Sequence, residues 1–298
     1  METTALYPPR RGYARAMRAR AITATIALAL PVSAAGAAPD PVCDFYAFRD
    51  AMAGGRDDEF RTLVTACRRD GRWPERDDGA SVLHLAAHVG GRNAGSYVRA
   101  LLAAGVSPHT VTRDRNDPVT PLAMAVRFNC AACVEVLLAA GADVRWRGPD
   151  GETLLHGAGV DTVPLLVAAG LDPAARDAQG YVPLHRVWHP ALRSVGVNVA
   201  NDAGLTPLHV AALADNLPLV ETLLAAGADP ALRTTRDTHW RPSSVSRAFG
   251  PGLPVARGST AYDLARERHA ATRWNTRTHE ATMKRLDAVT PRHGGLFR

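Results

Sequence analysis

Lysine is almost absent from this chain of 298 residues: Lys284 stands alone among 35 cationic side chains. The signatures of common catalysis are missing as well. There is no phosphate-binding glycine-rich loop, no H-E-x-x-H and no G-x-S-x-G, which removes the simplest routes to nucleotide, zinc-protease and serine-hydrolase chemistry. One apolar run, Ala21 to Leu30, is too short and too weakly hydrophobic to read as a membrane span. Four cysteines are too few for a disulfide-dense scaffold, and no strand–helix pattern of thioredoxin type surrounds the one C-x-x-C.

What the chain has is repetition. The stretch Thr206 to Pro230 reads TPLHVAALADNLPLVETLLAAGADP. Thr206 suits a helix N-cap and Pro207 the first helical position, where no N–H is needed. Leu208, Ala211 and Ala212 fall on one helix face. Asp215 and Asn216 form a turn, and Val220, Leu223 and Leu224 line a second helix that Gly227 ends. Such a hairpin cannot bury its apolar face alone and needs copies on both sides. The copies start at Ser81-Val82-Leu83-His84, Thr120-Pro121-Leu122-Ala123, Thr153-Leu154-Leu155-His156 and Val182-Pro183-Leu184-His185. They end at Gly105, Gly141, Gly170 and Gly196.

This pattern resembles the ankyrin repeat, whose T-P-L-H-x-A signature and period of about 33 residues are matched by the step from Thr120 to Thr153. The resemblance implies an all-α solenoid of stacked helical hairpins with finger loops, capped at both ends. It also implies a structural role for the fourth-position histidines His84, His156, His185 and His209, bonded near the cap and to the neighbouring unit. The pairs His84/His88 and His185/His189 are therefore not expected to hold a metal, and no cofactor is expected. The chain divides into a signal peptide at 1–37 and a repeat domain at 38–298. The domain comprises an N-terminal cap hairpin at 38–77, five repeats at 78–230, an inserted loop at 231–259 and a C-terminal cap repeat at 260–298. The third and fourth repeats are short. Thr153 lies closer to Gly170, and Val182 closer to Gly196, than Thr120 does to Gly141 or Thr206 to Gly227. At least one helical turn should be missing from each, leaving a dent in the stack.

Five arginines, the apolar run and Ala35-Gly36-Ala37 together read as a cleavable secretory signal, with Met17 an alternative start. Arginine in place of lysine, with abundant alanine, suits a GC-rich bacterial genome, so the expected location is the periplasm or the exterior. Export implies oxidising conditions. Cys43 and Cys67 fall at adjoining ends of the first hairpin and are expected to pair; Cys130 and Cys133 are a possible second pair. Charge is segregated: residues 38–230 hold 17 Arg against 23 acids, while 231–298 hold 13 cations against 5. Arg233, Arg236, Arg241, Arg247 and Arg257 around Trp240 could suggest nucleic acid, but export favours an acidic protein or surface polymer.

The expected function is a non-enzymatic, monomeric module that binds a partner protein and assists or inhibits it. Contact is assigned to Arg145, Trp146 and Arg147 on one finger, and to Trp240, Arg241 and Phe249 on the insertion, because Trp and Arg dominate interface energetics. Two alternatives stand beside it: a thiol-redox protein using Cys130 and Cys133, and a scaffold anchored in the membrane by uncleaved residues 21–37.

Overall fold

The structure, a computed structural model, describes residues 43–89, 91–114, 118–240, 253–271 and 277–290. Residues 1–37, expected to be a signal peptide, and Arg241 and Phe249 lie outside them. Among the described residues the chain is a single-file stack of helical hairpins. The first pairs α1 (Phe45–Ala53) with α2 (Asp57–Asp70). Then come α3 (Val82–Val89) with α4 (Ala94–Ala103), and α5 (Pro121–Arg127) with α6 (Ala131–Ala139). The third unit keeps one short helix, α7 (Val163–Ala168). Beyond the fourth, α8 (Pro207–Leu213) pairs with α9 (Leu217–Ala225), and α10 (Ala261–Ala271) with α11 (Arg277–Asp287). No helix among the described residues is long and apolar enough to cross a membrane.

The shortened repeats lose α-helix as their spacing predicts. In the third, the first helix shrinks to a 3₁₀ turn, Leu154–Gly157, ahead of α7. Gly157 and Gly159 follow His156 closely, and two glycines so near each other make helix propagation unfavourable. In the fourth, both helices are 3₁₀ turns, Pro183–His185 and Pro190–Val195. Pro190 pushes His189 into an extended conformation, because the proline ring crowds the residue before it. The His189 Nδ1 then accepts from Ala191 N–H at 3.1 Å.

The apolar core breaks at the same place. One cluster runs from Phe45 to Leu192; a second gathers Leu208, Ala211, Val220, Leu223 and Leu286. Half-buried Trp188 packs against both.

Polar staples cross from unit to unit. In His156 the Nδ1 accepts from Thr153 N–H (3.1 Å) and lies 2.9 Å from its hydroxyl, while the Nε2 lies 2.9 Å from Tyr181 O in the next finger. His84 repeats this with Ser81 and Val119, and His209 with Thr206 and Ser259; His185 keeps the bonds to Val182 N–H and Leu205 O without a cap hydroxyl. A backbone N–H aimed at Nδ1 fixes the neutral ring with its proton on Nε2, which then donates to the carbonyl. Fingers also bond directly: Ala178 N–H donates to Asp150 O (2.7 Å) and Thr235 N–H to Ala203 O (2.9 Å). Gly204, with a positive φ, permits this last approach, since a Cβ there would lie 2.6 Å from Thr235 N.

The insertion departs from the sequence expectation of a loop without regular structure. Its stems pair as an antiparallel ribbon, β1 (Thr238–Trp240) against β2 (Leu253–Val255), in the register Thr238–Val255 and Trp240–Leu253.

The staples make stability depend on pH. Burial lowers the pKa of His156, His185 and His209 from 6.5 to about 4, and lowers that of His84 as well. The unfolded chain therefore binds more protons below its ordinary histidine pKa. The stability carried by the neutral rings is complete above that pH and is lost as pH falls towards the folded value, on the order of 3 kcal/mol for each of His156, His185 and His209. The urea midpoint should drop across this window; a midpoint that stays flat until the carboxylate range would contradict the assignment. The divided core gives a second expectation. Trp188→Ala should cost about 3 kcal/mol and uncouple the two clusters, so that hydrogen exchange resolves two opening units where the wild type shows one.

Candidate functional site

No group of three or more metal-ligating side chains is assembled among the described residues. Both ring nitrogens of each staple histidine face protein partners. The finger tips carry a recurring exposed side chain. Arg113, Arg147, Arg176 and Arg233 recur there, all exposed. Three of them are pre-positioned. The Arg147 guanidinium donates to Gly151 O (2.8 Å), Arg176 to Gly180 O (2.8 Å) and Ala200 O (3.1 Å), and Arg233 to Gly258 O (2.5 Å). In each case part of the planar group is engaged. A guanidinium has five N–H donors in a rigid fork, so further donors remain for a carboxylate, and a fixed side chain loses little entropy on binding. Arg113 is held differently, by Glu75 at 3.3 Å. Sequence reasoning marks Arg147 on its finger and Arg233 in the basic cluster before the insertion; Arg113 and Arg176 it leaves unmarked.

Arg145 and Arg147 are exposed. Trp146 between them is half-buried: it packs at the edge of the main core, and the ring comes within 3.4 Å of where a Gly148 Cβ would stand. The finger itself is held by pairing of Arg147 with Thr153 and by Gly148 N–H donating to Glu152 O (2.8 Å). The three side chains therefore form one ordered tip with a partly available indole.

Trp240 is a correction. Composition predicts an exposed anchor, yet the side chain is only 5% exposed. The β1–β2 ribbon turns the ring into a small core with Leu205, Val210, Leu213, Val255 and Leu264, and Arg268 sits over its face at 5.8 Å. Its role is to fasten the insertion to the fifth repeat. Arg241 and Phe249, assigned with it, lie outside the described residues.

Beneath the fingers, Arg186 bridges Glu152 (2.6 Å) and Asp177 (3.4 Å) and ties the third finger to the fourth repeat. The Asp177 side chain is fully buried and its pKa is raised, chiefly by that burial; it also accepts from the Gln179 and Tyr181 N–H groups. This is a structural cluster, with its polar atoms spent within the stack.

The cysteines lie in two pairs. The Cys43 and Cys67 sulfurs are 1.99 Å apart, joining the start of α1 to α2, and the Cys130 and Cys133 sulfurs are 2.05 Å apart in the first turn of α6.

Comparison with known proteins agrees with this architecture. The family model for ankyrin repeats (3 copies) matches residues 50–147 and 83–177, and the single ankyrin repeat model matches 203–235. The stretch between these blocks holds the fourth repeat, whose helices are both 3₁₀. The E3 ubiquitin-protein ligase KEG of Arabidopsis thaliana is 29% identical over 57% of this chain and 11% of its own length. The zinc finger CCCH domain-containing protein 50 of Oryza sativa subsp. japonica is 32% identical over 72% of this chain and 31% of its own. The B-cell lymphoma 3 protein of Homo sapiens is 35% identical over 46% of this chain and 34% of its own. The chain thus spans about a third or less of the length of these relatives. The solved ankyrin repeat domain of Bcl-3, described as a unique member of the IkappaB protein family, aligns with a TM-score of 0.47 at 24% identity, covering 80% of this chain and 97% of that one. The signature, the period and the matched blocks on both sides of the short fourth unit make this chain a member of the ankyrin-repeat family.

Proposed function

We propose that this protein is an exported, non-enzymatic binding module that holds an acidic partner protein along its finger tips. A protein–protein interaction role is what ankyrin repeats imply. The observation that carries the finer reading is the ordered arginine row, Arg147, Arg176 and Arg233 braced on glycine carbonyls, with Arg145 and half-buried Trp146 at one tip. Fixed guanidinium groups steer a partner by charge, and a partly packed indole offers contact area at small entropic cost. The partner's response, assistance or inhibition, follows from which of its surfaces the row covers. Export is supported by the charged, apolar and small-residue segments of 1–37 and by two cysteine pairs at bonding distance. Charge alone would suit nucleic acid equally well; an oxidising exterior favours protein as the acidic ligand.

The test is capture of partners from the exported fraction of the native cell, comparing wild type with Arg145→Glu/Arg147→Glu. Reversing two exposed charges should lower the yield of an acidic partner roughly tenfold or more while leaving the unfolding midpoint unchanged. Trp240→Ala is the control in the other direction: it should cost about 3–5 kcal/mol of stability without removing a contact surface. Equal capture by the charge-reversed protein would place binding elsewhere on the stack. The exported chain should begin at Ala38 when its N-terminus is sequenced; a chain that retains residues 21–37 would support the anchored scaffold instead.

A further inference from the structure

We infer that Cys130 and Cys133 form an exchangeable disulfide, a site at which this chain trades electrons with low-molecular-weight thiols. The second and fifth repeats share one register, so that Thr120 matches Thr206, Asn129 matches Asp215, Cys130 matches Asn216 and Cys133 matches Leu219. Backbone geometry agrees: Asn129 and Asp215 both have a φ of 54°. In the fifth repeat Asn216 caps α9, its Oδ1 accepting from Leu219 N–H at 3.2 Å. In the second repeat the Cys130 sulfur takes that place and accepts from Cys133 N–H, also at 3.2 Å.

Packing accounts for Cys133, a small apolar residue with no exposure at a core position. Cys130 touches the edge of the same core but is only half-buried, and its sulfur occupies the cap position. Sulfur is a weak acceptor, and asparagine is among the best N-caps. The cap position is thus filled by the poorer acceptor, directly in register with a better one, which is a local rule broken.

The same geometry favours the thiolate that exchange requires. The Cys130 sulfur sits at the cap of α6, a helix of 9 residues, against the Cys133 N–H of its first turn. Helix N-termini depress cysteine pKa values well below the ordinary value of about 8.5. Exposure is divided as exchange needs: Cys130 is half-buried and Cys133 fully buried. The turn bearing Cys130 is held from its other side, since Asn129 accepts from Asp161 N–H (3.2 Å) and donates to the Asp161 carboxylate (2.6 Å). The other pair differs. Cys43 and Cys67 stand far apart in sequence and join two helices. Their link restricts the unfolded chain far more than one that closes a single helical turn.

The exchange balances with a thiol as reductant. An external thiolate attacks the Cys130 sulfur; the bond to Cys133 breaks and Cys133 leaves with the electron pair, to be protonated from solvent. A second thiol then attacks the mixed disulfide at its external sulfur, releasing Cys130 as thiolate. Two thiols become one disulfide, and the protein gains two electrons and two protons. The reverse sequence oxidises the dithiol.

The experiment equilibrates the full chain in reduced and oxidised glutathione at stepped ratios, quenches with acid, alkylates, and reads each cysteine peptide by mass spectrometry. Cys130–Cys133 should open at ratios at which Cys43–Cys67 stays closed. Iodoacetamide labelling of Cys130 in a Cys133→Ala variant should rise with a midpoint at least one unit below about 8.5. If that variant does not fold, the same profile is taken on the reduced wild type, peptide by peptide. Equal resistance of the two pairs, or an ordinary midpoint at Cys130, overturns the inference.

Discussion

One interaction organises this stack: a neutral imidazole that reaches both ways. Its Nδ1 takes the backbone N–H of its own helix cap, and its Nε2 proton goes to a carbonyl at the edge of the next unit. His84, His156, His185 and His209 each do this. Because the ring is buried, it ties the rise of one unit to the position of the next finger, and so the apolar faces meet in register. The staple survives where the helices do not. His185 still reaches Leu205 from a short 3₁₀ turn, and His209 reaches Ser259 across an insertion that sets them 50 positions apart.

The last unit of the stack follows from the same chemistry. There the fourth signature position is Asp263, whose carboxylate accepts from both Thr260 N–H (2.9 Å) and the Thr260 hydroxyl (2.7 Å). An ionised carboxylate has acceptors and no donor. It completes its own cap and has no proton to give to a carbonyl of another unit. The second unit, with Ala123 at that position, makes the cap through Thr120 Oγ1 alone (3.1 Å). It relies on apolar contact with its neighbours through Leu122, Val126 and Leu137.

Much of this is legible because each repeat writes its own boundaries: a threonine cap, a proline at the first position, a glycine to stop. The short third and fourth units are legible as missing length, and Gly157, Gly159 and Pro190 explain why the remainder winds as 3₁₀. The β ribbon is not legible. Its strands are too short for alternation to register, and Trp240 meets its partner Leu253 from the far side of a long intervening stretch. An isolated tryptophan among arginines in an aperiodic segment has the composition of a contact surface. Only tertiary pairing shows that the indole faces Leu205 and Leu264 instead. The braced arginines are hidden for the opposite reason: each is ordinary in its own finger, and only the folded turn brings the guanidinium to a glycine carbonyl.

Burial and exposed charge are therefore divided between two edges of each unit. The helices and staples consume apolar surface and polar hydrogens, leaving the carbonyl-rich finger turns to be satisfied from outside. Arginine does this from the solvent side: Arg147, Arg176 and Arg233 each spend an N–H on a glycine carbonyl that the turn leaves open. A lysine could neutralise the same carbonyl only as a flexible point donor, and its remaining hydrogens would carry no fixed direction. Bracing the turn and presenting a directed cation are thus one act of one side chain, and the stability of the finger row and its capacity to meet a carboxylate rest on the same bond.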